Sequence, residues 1–152
     1  MAYTSESARR QLLDQLDHAV DQLSIALAAL GEAYETVDER TAAVLEERLF
    51  RPAQAAYARA RRTRSGFAAR HQLGDVEAAA PTAAAYSADP RVHLERALDA
   101  IERSDQVIAE TQDSMLPVEV GDRELRDGLM EVRELIAGAP SEGRQLLRVI
   151  GR

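Results

Sequence analysis

The chain has 152 residues, of which 45% are hydrophobic and 4% aromatic, and its formal net charge at pH 7 is −7. The absence of cysteine excludes disulfides and cysteine-ligated metals, and the negative charge disfavours nonspecific binding of nucleic acid. A core so poor in aromatic side chains must consist of Leu, Val, Ile and Ala, which favours an all-α fold. We therefore expect a single helical domain over residues 1–152.

No apolar run reaches the length of a membrane span, and the N-terminus lacks the basic-then-apolar order of a signal peptide. The sequence therefore predicts a cytoplasmic protein with no membrane partner. All of the basic residues other than histidine are Arg, which is typical of a GC-rich bacterial genome and needs no functional explanation.

The first predicted helix carries an apolar residue at every third or fourth position, a heptad pattern typical of coiled coils and helical bundles. This seam consists of Leu13, Leu16, Val20, Leu23, Leu27, Leu30, Tyr34 and Val37. Ile25 falls on the opposite face of the helix, beside Ala28 and Ala29. It is either an ordinary exposed residue or part of a contact patch for a further helix or a second subunit.

A turn is expected near residues 32–38, because Gly31 and the capping-box pattern Thr36-x-x-Glu39 both indicate a helix boundary. The seam of the second helix consists of Ala42, Leu45, Leu49, Ala53, Ala56, Ala60, Thr63 and Phe67. Leu45, Leu49 and Ala53 are spaced by two steps of four residues, one residue more than the heptad pattern allows, and Pro52 lies at the same place. We therefore expect a kink near Pro52, in an antiparallel helical hairpin of residues 5–72.

Residues 73–89 form a linker that is either mobile or a crossover along the bundle. A second hairpin follows over residues 90–138, with Asp89 capping the third helix and Asp122 capping the fourth. The third helix has a thin seam of Leu94, Leu98, Ile101, Ile108 and Met115, with Ser104, Asp105, Thr111 and Gln112 between its members. The fourth has Leu125, Leu129, Val132 and Ile136, after a loop at residues 116–121.

The predicted fold is thus an antiparallel four-helix bundle of two helical hairpins, followed by a short C-terminal helix over residues 141–150. The fourth helix is about half as long as the first two, which leaves part of their seams uncovered. A second copy of the chain or the C-terminal helix could cover the remainder.

A basic stretch without acidic residues runs from Arg51 to His71. Its candidate surface residues are Arg59, Arg61, Arg62, Arg64, Arg70 and His71. If the hairpin turn lies near residue 37, Asp14 comes close to Arg61 or Arg62, and Asp17 comes close to Arg59. We favour this internal neutralisation over an acidic protein partner, and both over nucleic acid or phosphate.

The segment Arg64-Ser-Gly-Phe-Ala-Ala-Arg-His71 resembles the Arg-x4–6-His motif of the helical HEPN ribonucleases. The resemblance covers Arg64 and His71. It implies an alternative function as an RNA- or phosphate-acting protein, in which these two side chains act on the scissile phosphate at a dimer interface.

A second alternative is a carboxylate-rich bundle that binds a metal. Ferritin-like di-iron bundles require Glu three residues before His, and none of His18, His71 and His93 has it. The group Asp14, His18 and Asp21 could chelate a metal, but it lies off the seam, where charges are usually solvated. We expect no metal or other cofactor, and surface positions for His18 and His93.

The sequence contains no nucleophilic triad and no Gly-rich phosphate loop, so no catalytic residue is predicted. We therefore expect a non-enzymatic interaction or scaffold protein that forms a homo-oligomer or binds another helical protein. The candidate interface residues are Ile25, Leu146, Leu147 and Ile150.

Overall fold

A computed structural model describes residues 2–74 and 87–150, and every regular element within these ranges is a helix. The elements are α1 (Ala2–Thr36), α2 (Glu39–Leu45), a π-helical turn (Glu46–Phe50), α3 (Arg51–Arg70), α4 (Pro90–Asp113), α5 (Leu116–Val120), α6 (Arg123–Ile136) and α7 (Ala139–Ile150). The all-α class is confirmed. No helix of the described ranges is sufficiently long and apolar to cross a membrane. Most of the predicted linker, residues 75–86, lies outside the described residues.

The most extensive packing joins helices that are distant in the sequence. Helix α1 packs chiefly against α4, and α3 packs chiefly against α6. The contacts between α1 and α3 and between α4 and α6 are smaller, and α7 lies against α4 and the π-helical turn. Helices α3 and α6 are antiparallel, because Arg59 pairs with Glu131 and Arg70 pairs with Glu124.

The buried face of α1 is rotated from the predicted one. The buried residues of α1 are Ala8, Leu12, Leu13, Leu16, Ala19, Leu23, Ala26, Ala29, Leu30 and Ala33, so four members of the predicted seam, Leu13, Leu16, Leu23 and Leu30, are buried as expected. Val20 and Leu27 are only partly buried, and Tyr34 is 42% exposed, so the prediction that these three belong to the buried seam is wrong. Small side chains allow helices to approach closely, and Ala19, Ala26 and Ala33 therefore face the packed neighbours of α1.

The turn after α1 is tighter than predicted, and its cap is a different residue. Helix α1 continues past Gly31, and Asp38 caps α2 by accepting a hydrogen bond of 2.8 Å from the backbone N–H of Thr41. The Thr36 hydroxyl instead donates to the carbonyl oxygens of Glu32 and Ala33 in its own helix. The predicted capping box at Thr36 is therefore wrong, although the chain does break there.

Every member of the predicted second seam is buried, from Ala42 to Phe67. The inserted residue at 45-49-53 coincides with the π-helical turn, where the N–H of Arg51 donates to the carbonyl of Glu46, five residues earlier. A π turn accommodates one extra residue, so it returns Ala53 to the buried side. Pro52 follows at the start of α3, where it has no N–H to donate.

Helix α4 begins as predicted, because Asp89 accepts a hydrogen bond of 3.0 Å from the backbone N–H of Arg91 and Pro90 occupies the first turn. Ser104 and Thr111 are buried in the polar layers of this helix. Each donates a 2.8 Å hydrogen bond to a carbonyl of its own helix, at Ile101 and Val107 respectively. Their hydroxyls therefore need no partner from another helix.

The segment between α4 and α6 departs from the prediction at two points. Met115 has a positive φ of 67° and is 55% exposed, so it is not a member of the seam. Residues 116–121 were predicted to be a loop, but Leu116–Val120 form the short helix α5, which ends at Gly121 with φ 74°. Asp122 caps α6 as predicted, and the four predicted seam residues of α6 are buried.

Two glycines allow close approaches between helices. A Cβ atom on Gly128 of α6 would lie 2.2 Å from the Thr63 hydroxyl oxygen on α3. A Cβ atom on Gly143 of α7 would lie 2.3 Å from a methyl carbon of Leu98 on α4. Helix α7 begins at Ala139, two residues before the predicted start.

Candidate functional site

The basic stretch of α3 is engaged mainly with carboxylates of α6 and α1. The Arg59 guanidinium pairs with Glu131 and also donates to the Thr63 hydroxyl at 3.0 Å. Arg59 and, more weakly, Arg62 lower the pKa of the Glu131 carboxyl. The predicted partnership of Arg59 with Asp17 is therefore wrong, because Arg59 is directed toward α6.

Arg64 is the most deeply buried cation of this stretch. It is 7% exposed, and its Nε donates to Asp17 Oδ1 at 2.7 Å, which links α3 to α1. Asp17 thus pairs with a residue that lies farther along α3 than the hairpin geometry predicted. The π turn accounts for one residue of that offset.

Asp122 is the centre of a cluster that joins the end of α3 to the start of α6. Arg70 donates to both of its carboxylate oxygens, at 3.0 and 2.9 Å, and Nε2 of His71 lies 2.8 Å from Oδ2. The backbone N–H of Leu125 completes the set at 2.9 Å. Four donors occupy the acceptor sites of one carboxylate, so Asp122 has no lone pair available to act as a general base.

The pKa of Asp122 is below its ordinary value. Burial opposes ionisation of the carboxyl, but the hydrogen bonds from Leu125, His71 and Arg70 outweigh it. Arg70 also pairs with Glu124 at 2.6 Å, so the guanidinium holds two carboxylates of the first turn of α6. The cluster therefore acts as an ionic clamp between two helix ends.

Arg64 and His71, the two residues of the HEPN-like motif, bind different carboxylates. Arg64 pairs with Asp17, and His71 pairs with Asp122 while its ring packs against Phe67 at a centroid distance of 4.6 Å. The two residues lie seven positions apart, which is about 10 Å along a helix axis. Among the contacts of residues 2–74 and 87–150, Arg64 and His71 therefore share no carboxylate partner.

Arg51, Arg61 and Arg62 of the basic stretch make no ion pair within the described ranges, so the predicted partnership of Asp14 with Arg61 or Arg62 is wrong. Arg51 is exposed, and the exposed Arg61 lies over the ring of Tyr57 at 5.7 Å from its centroid. The basic surface is thus reduced to isolated cations on the outer face of α3.

The candidate metal ligands of α1 remain a surface group. His18 is exposed as predicted, and the pKa of Asp21 is raised by burial and by the neighbouring Asp17, against the opposing effect of His18. Within the described ranges, no group of three or more His, Asp or Glu side chains is arranged to hold a metal ion. His93 was predicted at the surface but is buried, with Nε2 at 2.6 Å from the carbonyl oxygen of Ser87.

The predicted interface residues pack within the chain to different extents. Leu146 is 6% exposed and belongs to the core. Ile25, Leu147 and Ile150 are partly buried against that core. Helix α7 therefore packs much of its apolar face against its own chain. Leu45 and Leu49 of the second predicted seam are also fully buried within the chain.

A groove that the sequence analysis did not identify lies between α4 and α6, and we call it the α4–α6 groove. It has a volume of about 560 Å³. Its lining consists of Ile101, Glu102, Asp105, Gln106, Gln112, Met130, Arg133, Glu134, Ile136, Ala137 and Pro140. The only sequence signal for it was the thin seam of the third predicted helix, where Asp105 and Gln112 occupy layers that an apolar contact would otherwise fill.

Arg133, one of the lining residues of this groove, is held in place by two residues of α4. Its Nε and Nη2 donate to the Asp105 carboxylate at 2.9 and 3.4 Å, and its Nη1 donates to Gln112 Oε1 at 2.9 Å. The hydrogen bond and charge of Asp105 raise the pKa of Arg133 against the effect of burial, so the side chain stays protonated. Arg133 thus joins α6 to α4 along one side of the groove.

Comparisons of the chain with models of known protein families, with curated proteins and with solved structures found no match.

Proposed function

We propose that this protein is a non-enzymatic interaction protein and that the α4–α6 groove is its binding surface. The observation that supports the proposal is the apolar surface of the groove, where Met130 is 52% exposed and Ala137 is exposed beside the buried Ile101 and Ile136. A methionine in a groove is adaptable and is frequent at protein-binding surfaces. The charged residues that the sequence offered for chemistry, Arg64 and His71, are instead engaged in ion pairs.

The proposed architecture is an antiparallel four-helix bundle of α1, α3, α4 and α6, with α7 packed against one end. The contacts of α1 with α3 and α4, and of α6 with α3 and α4, support it, because they place each helix between two others. In this arrangement the α4–α6 groove lies along one side of the bundle, where a further helix could pack.

We also propose that the protein self-associates, but through a surface other than the one predicted from the sequence. Leu146 is used by the core of the chain, so it is a poor choice for an intermolecular contact. We propose that copies of the chain, or another helical protein, associate through the groove around Met130.

Native mass spectrometry of the untagged protein tests this function. We expect a protein complex, either a multiple of the 16.7 kDa chain or the chain with a second protein, that is lost in Met130→Glu. Arg64→Ala/His71→Ala should retain the complex if the double variant remains folded. A monomer that carries RNA or metal mass and loses it in the Arg64/His71 variant would contradict the proposal in favour of the ribonuclease alternative.

A further inference from the structure

We infer that the α4–α6 groove binds a basic amphipathic helix of a partner protein. This inference rests on the proposed function, because it names the partner class for the same surface. It is carried by three properties of the groove: its apolar floor, its excess of carboxylates and its length.

The floor of the groove is apolar and contributed by two helices. Ile101 and Ile136 are almost fully buried at its base, and Ala137 and Pro140 close one end where α7 begins. Met130 forms an exposed wall. The apolar surface that a ligand would meet is therefore that of Met130, Ala137 and Pro140. It matches the apolar stripe of a helix, whose residues at positions i, i+3 or i+4, and i+7 project to one side.

The charges around this floor are predominantly negative. The lining contains three carboxylates, of Glu102, Asp105 and Glu134, and one guanidinium, of Arg133. The charges of Asp105 and Arg133 neutralise each other in an ion pair, so the pair adds no net charge to the surface that a ligand would meet. Glu102 and Glu134 are exposed and make no ion pair with any described residue. A partner with Arg or Lys beside its apolar stripe would meet both of them.

The length of the groove fits a helix of moderate size. Its lining on α4 extends from Ile101 to Gln112, which corresponds to about 16 Å at 1.5 Å per residue, or three helical turns. A second copy of this chain is a weaker candidate for the occupant. On its α3 helix, the exposed Arg51, Arg61 and Arg62 are not accompanied by any exposed large apolar side chain. On its α7 helix, Arg144 and Arg148 are accompanied by the exposed Val149, but Leu146 is already buried in its own chain.

The test uses a designed helical peptide of about 16 residues that has a leucine stripe flanked by arginines. The matched control peptide has the same leucines, with glutamate in place of every arginine. Fluorescence anisotropy of the labelled peptides would be measured with the full chain at about 0.05 M and about 0.3 M NaCl. We expect saturable binding of the basic peptide that weakens at the higher salt concentration, and binding of the acidic peptide weaker by at least about tenfold.

Two groove variants locate the binding. Glu102→Arg/Glu134→Arg should weaken binding of the basic peptide by about tenfold or more, and Met130→Asp should have a similar effect. The matched control, Glu32→Arg/Glu35→Arg, makes the same charge change at exposed positions near the end of α1 and should bind as the parent does. Because Glu102 and Glu134 are exposed, the first variant remains informative even if Met130→Asp is poorly folded.

Several outcomes would overturn the inference. They are equal binding of the two peptides, equal weakening by the α1 control variant, or binding of a polyamine as tight as that of the peptide. If no peptide binds but the native complex forms and is lost in Met130→Glu, this inference fails and the proposed function stands. If no complex forms in either experiment, both fail.

Discussion

Gly128 of α6 lies directly against Thr63 of α3, so that a methyl group at Gly128 would come within 2.2 Å of the Thr63 hydroxyl oxygen. Thr63 cannot easily move away, because its hydroxyl donates to the Arg59 carbonyl at 2.8 Å and receives a hydrogen bond from the Arg59 guanidinium. This contact sets how closely α3 and α6 approach, and the same two helices carry the Arg59–Glu131 pair and the Asp122 cluster.

We therefore predict that Gly128→Ala destabilises the protein by about 1–3 kcal/mol through overpacking, although alanine is the better helix former. The matched control is Gly31→Ala in α1, where a Cβ atom would have no neighbour within 4 Å. It should stabilise the protein by about 0.5–1 kcal/mol. Urea unfolding of both variants measures the difference, and stabilisation by both would refute the close approach.

The rotated face of α1 can be tested with two leucines that the heptad pattern treats alike. Leu23 is fully buried, whereas Leu27 is only partly buried at the edge of the core. We expect Leu23→Ala to reduce the free energy of unfolding by about 2–5 kcal/mol, and Leu27→Ala to cost clearly less. Chemical denaturation of the two variants gives both values. Equal losses would favour the original seam of Leu13, Leu16, Val20 and the residues that follow.

The Asp122 cluster predicts a specific dependence of stability on pH. Because the folded-state pKa of Asp122 is lowered, its ionised form stabilises the fold above the unfolded-state pKa of about 3.9, and this contribution is lost as the pH falls through the lower folded-state value. Asp122→Asn should cost about 1–3 kcal/mol at pH 7, because it removes the charge that Arg70 and His71 share. The difference between parent and variant should shrink below about pH 4.

A second helix-capping aspartate serves as the control for this experiment. Asp38 caps α2 but is exposed, and its pKa is lowered chiefly by the backbone hydrogen bond from Thr41. Asp38→Asn should therefore change the free energy of unfolding less than Asp122→Asn at pH 7. Unfolding in urea at several pH values between 2 and 7 measures both. An equal effect at the two positions would mean that the pairs with Arg70 and His71 add nothing.

From the π-helical turn we predict that the chain tolerates the deletion of one residue within the turn, but not the deletion of one residue in the α-helix that follows. Deletion of the exposed Glu47, combined with Pro52→Ala, should convert α2 and α3 into one regular α-helix, because the deletion restores the heptad spacing between Leu45 and Ala53. We expect this variant to keep a cooperative thermal transition. Deletion of the exposed Gln54 instead rotates Ala53 relative to Ala56 by about 100° and should cost more than about 3 kcal/mol. Similar losses in both variants would show that the π turn is not a register correction.

The sequence by itself determined the all-α class, the positions of most helices, the caps at Asp89 and Asp122, and the buried row from Ala42 to Phe67. These features depend on hydrogen bonds and side-chain spacing within a few residues, so they can be predicted from local sequence. Even the π turn had a local signal, because the 45-49-53 step requires one extra residue in the helix.

Only the tertiary structure decided which face of α1 is buried, which helices pair most closely and which acids meet the arginines of α3. Asp17 contacts Arg64, and Asp122 contacts Arg70 and His71, because of helix packing between residues about 50 positions apart. The α4–α6 groove arises in the same way, since Asp105 and Gln112 contact Arg133 of another helix and the exposed Met130 lies in the same groove. Such contacts depend on the sizes of side chains on helices distant in sequence, and no local pattern contains that information.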